Sequence, residues 1–461
     1  MLPDRLPHCL GKPLLAILGA MLGVGTAVPV QAQPTTDSLT VEATVAQVLN
    51  THPTIDAAQR GVDAASARVG QARSRYWPRV TAVGTYRRQD PVPNISVPGA
   101  PGASNGGRTI GIQPNNLYDG HLQVRQTLYN FGSTQARIDQ AEAGRTAARR
   151  RVAGLRTDLA FQAVQGFYTT LLAEARIDVQ RDQIDQLERT LNVVQRQQDA
   201  GTATAFEVQS TRTRLSAARS QLTQFRSQRR RQTAELNRLL GSASTRTLPL
   251  HGTLDPALAA DATRIDADSL ARRALLRHPS VRVAQAEVQA ARRQMQVAGY
   301  SDSPTLRLDA RGGVKNGYPG DLNEPRLNES IGVSLTVPLF EGFATRRQVE
   351  EAQAQMRAAK ARLTDVQRQV RTRVQQAASD LRARLDRLAT SALRVEQART
   401  AAQLARTRYE AGTITNLELL EAETALQQAR LERTEIRYQV ILGRYALQRA
   451  AGTLLPFESS P

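Results

Sequence analysis

The chain has 461 residues, 41% hydrophobic but only 4% aromatic, with a single cysteine and a formal net charge of +19. One cysteine excludes a disulfide framework and dithiol chemistry. The charge does not describe a nucleic-acid face, because the arginines are spread along helical segments among Gln, Ala and Glu, with no aromatic interleaving and no nucleic-acid motif.

Arg5 and Lys12 precede an apolar stretch over 14–30 and the small-residue site Val30-Gln31-Ala32. That pattern predicts an export signal over residues 1–32, removed after Ala32. Cys9 falls inside it, so the mature chain is expected to be free of thiols. Beyond it no run of about 18 apolar residues remains, which excludes a transmembrane helix and leaves a closed barrel as the only way to span a bilayer.

The remainder repeats itself. His52-Pro53, Gln59, Val62 and Pro78 recur 226 positions later as His278-Pro279, Gln285, Val288 and Pro304. From Leu128 and Leu339 onward the offset is 211, through Gly201-Thr202 and Gly412-Thr413, Glu207 and Glu418, and Gly241 and Gly452. The lost positions fall in a longer insert of the first copy. We therefore divide the mature chain into repeat 1 (33–241), an equatorial connector (242–265) and repeat 2 with a C-terminal tail (266–461). A duplicated unit of this size is built to assemble with copies of itself.

Each repeat begins with a helix, about 41–76 and about 267–300, ending before a proline that cannot continue it. The His-Pro pairs near their starts are suited to a helix start or kink, and no further ligand set accompanies them for a metal. The period then switches to two. Leu306, Leu308 and Ala310 alternate with Arg307, Asp309 and Arg311, and Ile331, Val333, Leu335 and Val337 alternate with Gly332, Ser334 and Thr336. Strands are predicted at about 79–87, 121–128, 305–312 and 330–337, with an apolar face for lipid and a polar face for a lumen. Four strands do not close a barrel, so several chains must contribute.

Proline-free stretches over 133–198 and 344–410 carry apolar residues at threes and fours and predict helices of roughly 100 Å. Ala-Gly-Thr turns follow each, then Thr204-x-x-Glu207 and Thr415-x-x-Glu418, the capping-box spacing. These open shorter helices over about 203–240 and 415–451. Two short helices end to end match one long one, which gives a cylinder of long helices with paired shorter helices in its wall.

The doubled order, the stretches LQVRQTLYNFGSTQA (122–136) and VSLTVPLFEGFA (333–344), and the tip RYEAGTITNLELLEA (408–422) resemble the TolC family of bacterial outer-membrane channels. The resemblance covers almost the whole mature chain. It implies a mainly α fold with a membrane β-barrel: a homotrimer whose twelve-stranded barrel in the outer membrane of a Gram-negative bacterium stands on a long α-helical periplasmic tunnel. It implies an exit duct for a tripartite efflux pump or type I secretion system, with a periplasmic adaptor and an inner-membrane transporter as partners. It implies neither catalysis, cofactor nor metal.

By position, the resemblance makes Tyr409 and Glu207 gate residues and places Glu418 and Glu421 at the periplasmic constriction. The tips Gly201, Thr202, Gly412 and Thr413 are the expected adaptor contacts. The chain departs from the family where Ile414 stands in place of a gate arginine, so the bond left to Tyr409 is one to Glu207 or a different arrangement altogether. Residues 409–424 independently hold Glu410, Glu418, Glu421 and Glu423 and no basic residue, in a strongly basic chain. Threefold symmetry would gather such acids into a ring; capping alone accounts equally well for Glu207 and Glu418. Two other readings of the helices stay open at this point, a periplasmic adaptor and a soluble structural coiled coil. Adaptors frame one hairpin with β-rich domains, whereas this chain has two hairpins.

Overall fold

The structure, a computed structural model, describes residues 39–97, 108–242, 249–254 and 266–454. The expected export signal, most of the connector and the end of the tail lie outside the described residues.

Repeat 1 opens with two helices, α1 (Val41–Thr51) and α2 (Pro53–Arg73), where a single helix was expected. His52 makes the break. Its backbone is extended, its Nδ1 accepts from the Thr54 N–H at 3.3 Å, and Pro53 takes the first helical position, where a missing N–H costs nothing. A short turn at Ser74–Tyr76 leads into β1 (Arg79–Arg88). The insert holds a separate hairpin, β2 (Asn94–Val97) and β3 (Arg108–Gly111), and β4 (Asn116–Tyr129) returns the chain. Then come α3 (Ser133–Asp199) and α4 (Ala205–Leu239).

Repeat 2 follows the same order: α5 (Ala267–Arg277), α6 (Pro279–Gly299), β5 (Thr305–Lys315), β6 (Arg326–Thr336), α7 (Ala344–Glu410) and α8 (Asn416–Ala451). Both long helices have 67 residues, roughly 100 Å. His278 repeats the cap, accepting from the Ser280 N–H at 3.2 Å. Burial lowers its pKa, which keeps the ring a neutral acceptor.

Strand becomes helix at two sharp corners. Phe131 and Gly132 in the first copy, and Gly342 and Phe343 in the second, all have left-handed φ, between 50° and 95°. Two phenylalanines in that region are held there by the corner, since L side chains adopt it only at a cost.

The strands form one antiparallel sheet in the order β1-β4-β5-β6. β4 and β6 begin earlier than alternation alone predicts, at Asn116 and Arg326, because their neighbours extend the ladder to Arg88 and Lys315. The helices form a curtain below it. Near the sheet the neighbours run α2-α3-α6-α7; toward the far end they run α4-α3-α8-α7. The core is a series of seams within this curtain. Val370, Val374 and Leu381 of α7 meet Val281, Ile436 and Val440, and Phe167, Tyr168 and Leu171 of α3 meet Ile441. Each fully buried aliphatic side chain contributes about 1.5–3 kcal/mol. At mid-height Leu39 bridges Leu250, the described part of the connector. Among the described residues the sheet and the curtain therefore both end in unpartnered flanks, β1 with α2 and α4 on one side, β6 with α7 on the other.

Candidate functional site

The tips are two near-identical turns. Gly201 and Gly412, at φ 74° and 72°, take the left-handed position that ends α3 and α7. The Thr202 N–H donates to the Gln197 carbonyl at 2.8 Å, and the Thr413 N–H to that of Arg408 at 2.9 Å. Full capping boxes follow. The Thr204 N–H donates to Glu207 Oε2 at 2.7 Å and the Glu207 N–H to Thr204 Oγ1 at 3.3 Å; Thr415 and Glu418 repeat this at 2.8 and 3.3 Å. Bonds from the Thr415 N–H and hydroxyl hold the Glu418 carboxyl below its usual range.

Tyr409 does not bond to Glu207. Its hydroxyl donates to Gln197 Oε1 at 2.7 Å, while Glu207 is already occupied by its cap. The ring is buried among Val194, Val208 and Leu419, with Ile414 packed against the same cluster. An apolar side chain thus stands where the resemblance leads one to expect an arginine. Burial, then the Glu207 charge, raises the Tyr409 pKa, so the hydroxyl keeps its proton.

Glu421 is exposed on α8. The acid that the fold draws inward is Glu423, only 8% exposed. It accepts from Gln186 at 2.8 Å and Arg406 at 3.2 Å, with Thr190 at 3.5 Å, and burial raises its pKa despite these partners. Asn416 is buried as well. Its Nδ2 donates to Thr211 Oγ1 at 3.0 Å and to the Glu207 carbonyl at 3.3 Å. Arg214 reaches Thr424 Oγ1 at 3.2 Å. The structure therefore brings Tyr409 and Glu207 into one neighbourhood, and joins the α3/α4 hairpin to the α7/α8 hairpin through Gln197, Asn416, Arg214 and Glu423. Sequence reasoning missed the first three. Only the position of Asn416 directly after the cap Thr415, beside a helix from the other repeat, could have suggested it.

At the other end the sheet has two chemically distinct faces. Val80, Tyr86, Leu122, Val333 and Ile331 share one face and are exposed in the single chain. Tyr86 and Tyr118 pack at 5.2 Å at one edge of this apolar band; Trp77, Tyr129, Phe340 and Phe343 mark the other. Trp77 to Tyr86 is roughly 30 Å along the chain at about 3.4 Å per residue, reduced to roughly 23 Å by a tilt of about 40°. That is the height of a barrel's lipid band. Among the described residues no helix is long and apolar enough to cross a membrane, and no cluster of ligands for a metal occurs.

The sequence pattern of the outer membrane efflux proteins matches residues 44–242 and 270–453. The protein CyaE of Bordetella pertussis is 26% identical over 401 residues, 85% of this chain and 80% of its own. The alkaline protease secretion protein AprF of Pseudomonas aeruginosa is 26% identical over 345 residues, 73% of this chain and 70% of its own. Among solved structures, the outer-membrane channel OprN superposes with a TM-score of 0.71 at 22% identity, covering 89% of each chain.

Proposed function

The chain belongs to the outer membrane efflux protein family, and we propose that three copies of it close into one channel gated at the hairpin tips. Members of this family are channel proteins, and the chain is an outer-membrane exit duct of a tripartite efflux pump or type I secretion system, with a periplasmic tunnel. The proposed copy number follows from the free flanks. β6 and α7 of one copy meet β1, α2 and α4 of the next along the whole length of the molecule, and edge strands cannot stay open in lipid. Two copies would give eight strands, an interior filled by side chains; three give twelve and leave a path.

At the tips, Tyr409 latches α7 to α3 through Gln197, while Asn416 and Glu423 brace α8 against the first hairpin. Glu207 and Glu418 hold the turns in shape, and Glu421 stands free to face the constriction. Gly201, Thr202, Gly412 and Thr413 form the surface for a periplasmic adaptor, which couples the duct to an inner-membrane transporter. Phe206 and Leu417, exposed at equivalent positions of the two tips, extend it with apolar area. The protein acts by passage alone, with no catalysis. The observation that carries the reading is the alignment of unpartnered edges from barrel to tip. Native mass in detergent tests it: three chains are expected, and a stable monomer in the outer-membrane fraction would refute it.

A further inference from the structure

The polar face of the sheet is strongly and asymmetrically charged. Seven cationic side chains lie on it against two carboxylates, Asp119 and Asp309. Both acids are engaged: Asp309 by Arg125 at 3.2 Å, and Asp119 by His121 at 2.8 Å, with Lys315 opposite it in the ladder. Arg79, Arg307 and Arg311 form no ion pair among the described residues, and all three are exposed. They are not scattered. Arg307 sits in a row with Thr127 and Ser334, Arg311 in a row with Gln123 and Ser330, and Arg79 beside Arg125 at the base of β1. Arg311 stands four positions beyond Arg307 along β5, about 13 Å, so the charge recurs through the depth of the wall.

The opposite face carries the apolar band, so these arginines line the lumen of any barrel this sheet closes. We propose that the barrel is an anion-selective exit matched to carboxylate-rich cargo, with Arg307 and Arg311 as its selectivity-determining residues. The inference rests on the trimeric channel proposed above, which triples each charge around the pore. An unneutralised arginine in a water-filled pore raises the local concentration of anions and opposes cations over about a Debye length, 8–10 Å near physiological salt. The neighbouring Ser and Thr side chains are small and neutral and add no second charge to grip cargo, so passage is favoured over tight binding. Acidic polypeptide segments are the cargo this wall fits best. Small organic anions share the chemistry.

The test is the reversal potential of purified wild-type trimers in planar bilayers under a tenfold KCl gradient, beside Arg307→Gln/Arg311→Gln and Arg307→Lys/Arg311→Lys. All three share the same tips, so differences report the barrel. Relative to the Gln pair, the wild type is expected to be shifted severalfold toward chloride, and the Lys pair to match the wild type. The differences should shrink in 1 M salt. Polyglutamate added on the extracellular side, where the barrel is reached without passing the tips, should interrupt the wild-type current and polylysine should not; block by a small dicarboxylate but not by polyglutamate would overturn the polypeptide assignment. A conducting trimer whose Gln pair has the wild-type reversal potential overturns the inference and leaves the channel standing. A trimer that never conducts, even with the tips opened by Tyr409→Phe/Asn416→Ala, overturns the channel itself, and the inference with it.

Discussion

Replacing outward residues of β6 with arginine measures the depth of the barrel wall. Leu335 pairs with Leu306, which pairs with Tyr129 of the lower aromatic belt, so Leu335 lies at the membrane interface and not at the midplane. Ile331, 78% exposed in the single chain, is four residues further along β6. That is about 13 Å along the strand and about 10 Å deeper after tilt, close to half of the apolar band. Ile331→Arg should therefore cost about 2–4 kcal/mol per protomer, Leu335→Arg about 0–1 kcal/mol, and Ser330→Arg, on the lumen face, should assemble normally. Urea unfolding in lipid vesicles, with the fraction of heat-modifiable trimer as a second readout, gives the order. If Ser330→Arg is as damaging as Ile331→Arg, or Leu335→Arg is the worst of the three, the faces or the depth are assigned wrongly.

Thr204→Ala and Thr415→Ala should each loosen a tip by about 1 kcal/mol, within the range for lost N-caps, visible as faster hydrogen exchange confined to the first turns of α4 and α8. The Glu418 carboxyl has a lowered pKa, so its contribution is present above the ordinary carboxylate value and lost as pH falls through the lowered one. Glu418→Gln should accordingly exchange faster than wild type at neutral pH and match it in acid. Glu423 has the opposite sign. With its pKa raised by burial, its contribution is greatest below the ordinary value and declines as pH rises through the raised one. Glu423→Gln should then melt above wild type at neutral pH, with the gap closing on acidification; a gap independent of pH would show that the carboxyl is not buried as described.

The architecture was legible because duplication leaves its mark on positions. The constant offsets located the paired elements, and proline, glycine and capping residues bounded the helices locally. Legibility stopped where local signals did. The His52-Pro53 break looks like a helix start in sequence, but a continuing apolar pattern masks the loss of one helical step. The β2-β3 hairpin has four residues per strand, too few to show a period. At the tips, Tyr409 and Glu207 stood out by type and position, yet the bond goes to Gln197, a residue with no local distinction. Arg214 and Asn416 acquire their roles only when helices more than two hundred residues apart in sequence meet. Three glutamates on α8, Glu418, Glu421 and Glu423, looked alike. Helix rotation decides that Glu423 turns inward against α3 and α7 while Glu421 faces water.

The central claim is that a few polar bonds between the two hairpins hold the tunnel shut. Single-channel conductance of Tyr409→Phe/Asn416→Ala trimers tests it most directly. The double variant removes the latch to Gln197 and the brace to Thr211, each worth about 1 kcal/mol, while leaving both capping boxes and the barrel intact. Repeated in three protomers, that loss should shift the resting population toward the open tip and raise the conductance severalfold, with native mass and heat stability of the trimer unchanged. A variant that remains an intact trimer and conducts like the wild type would show that the tips are held by something other than these contacts.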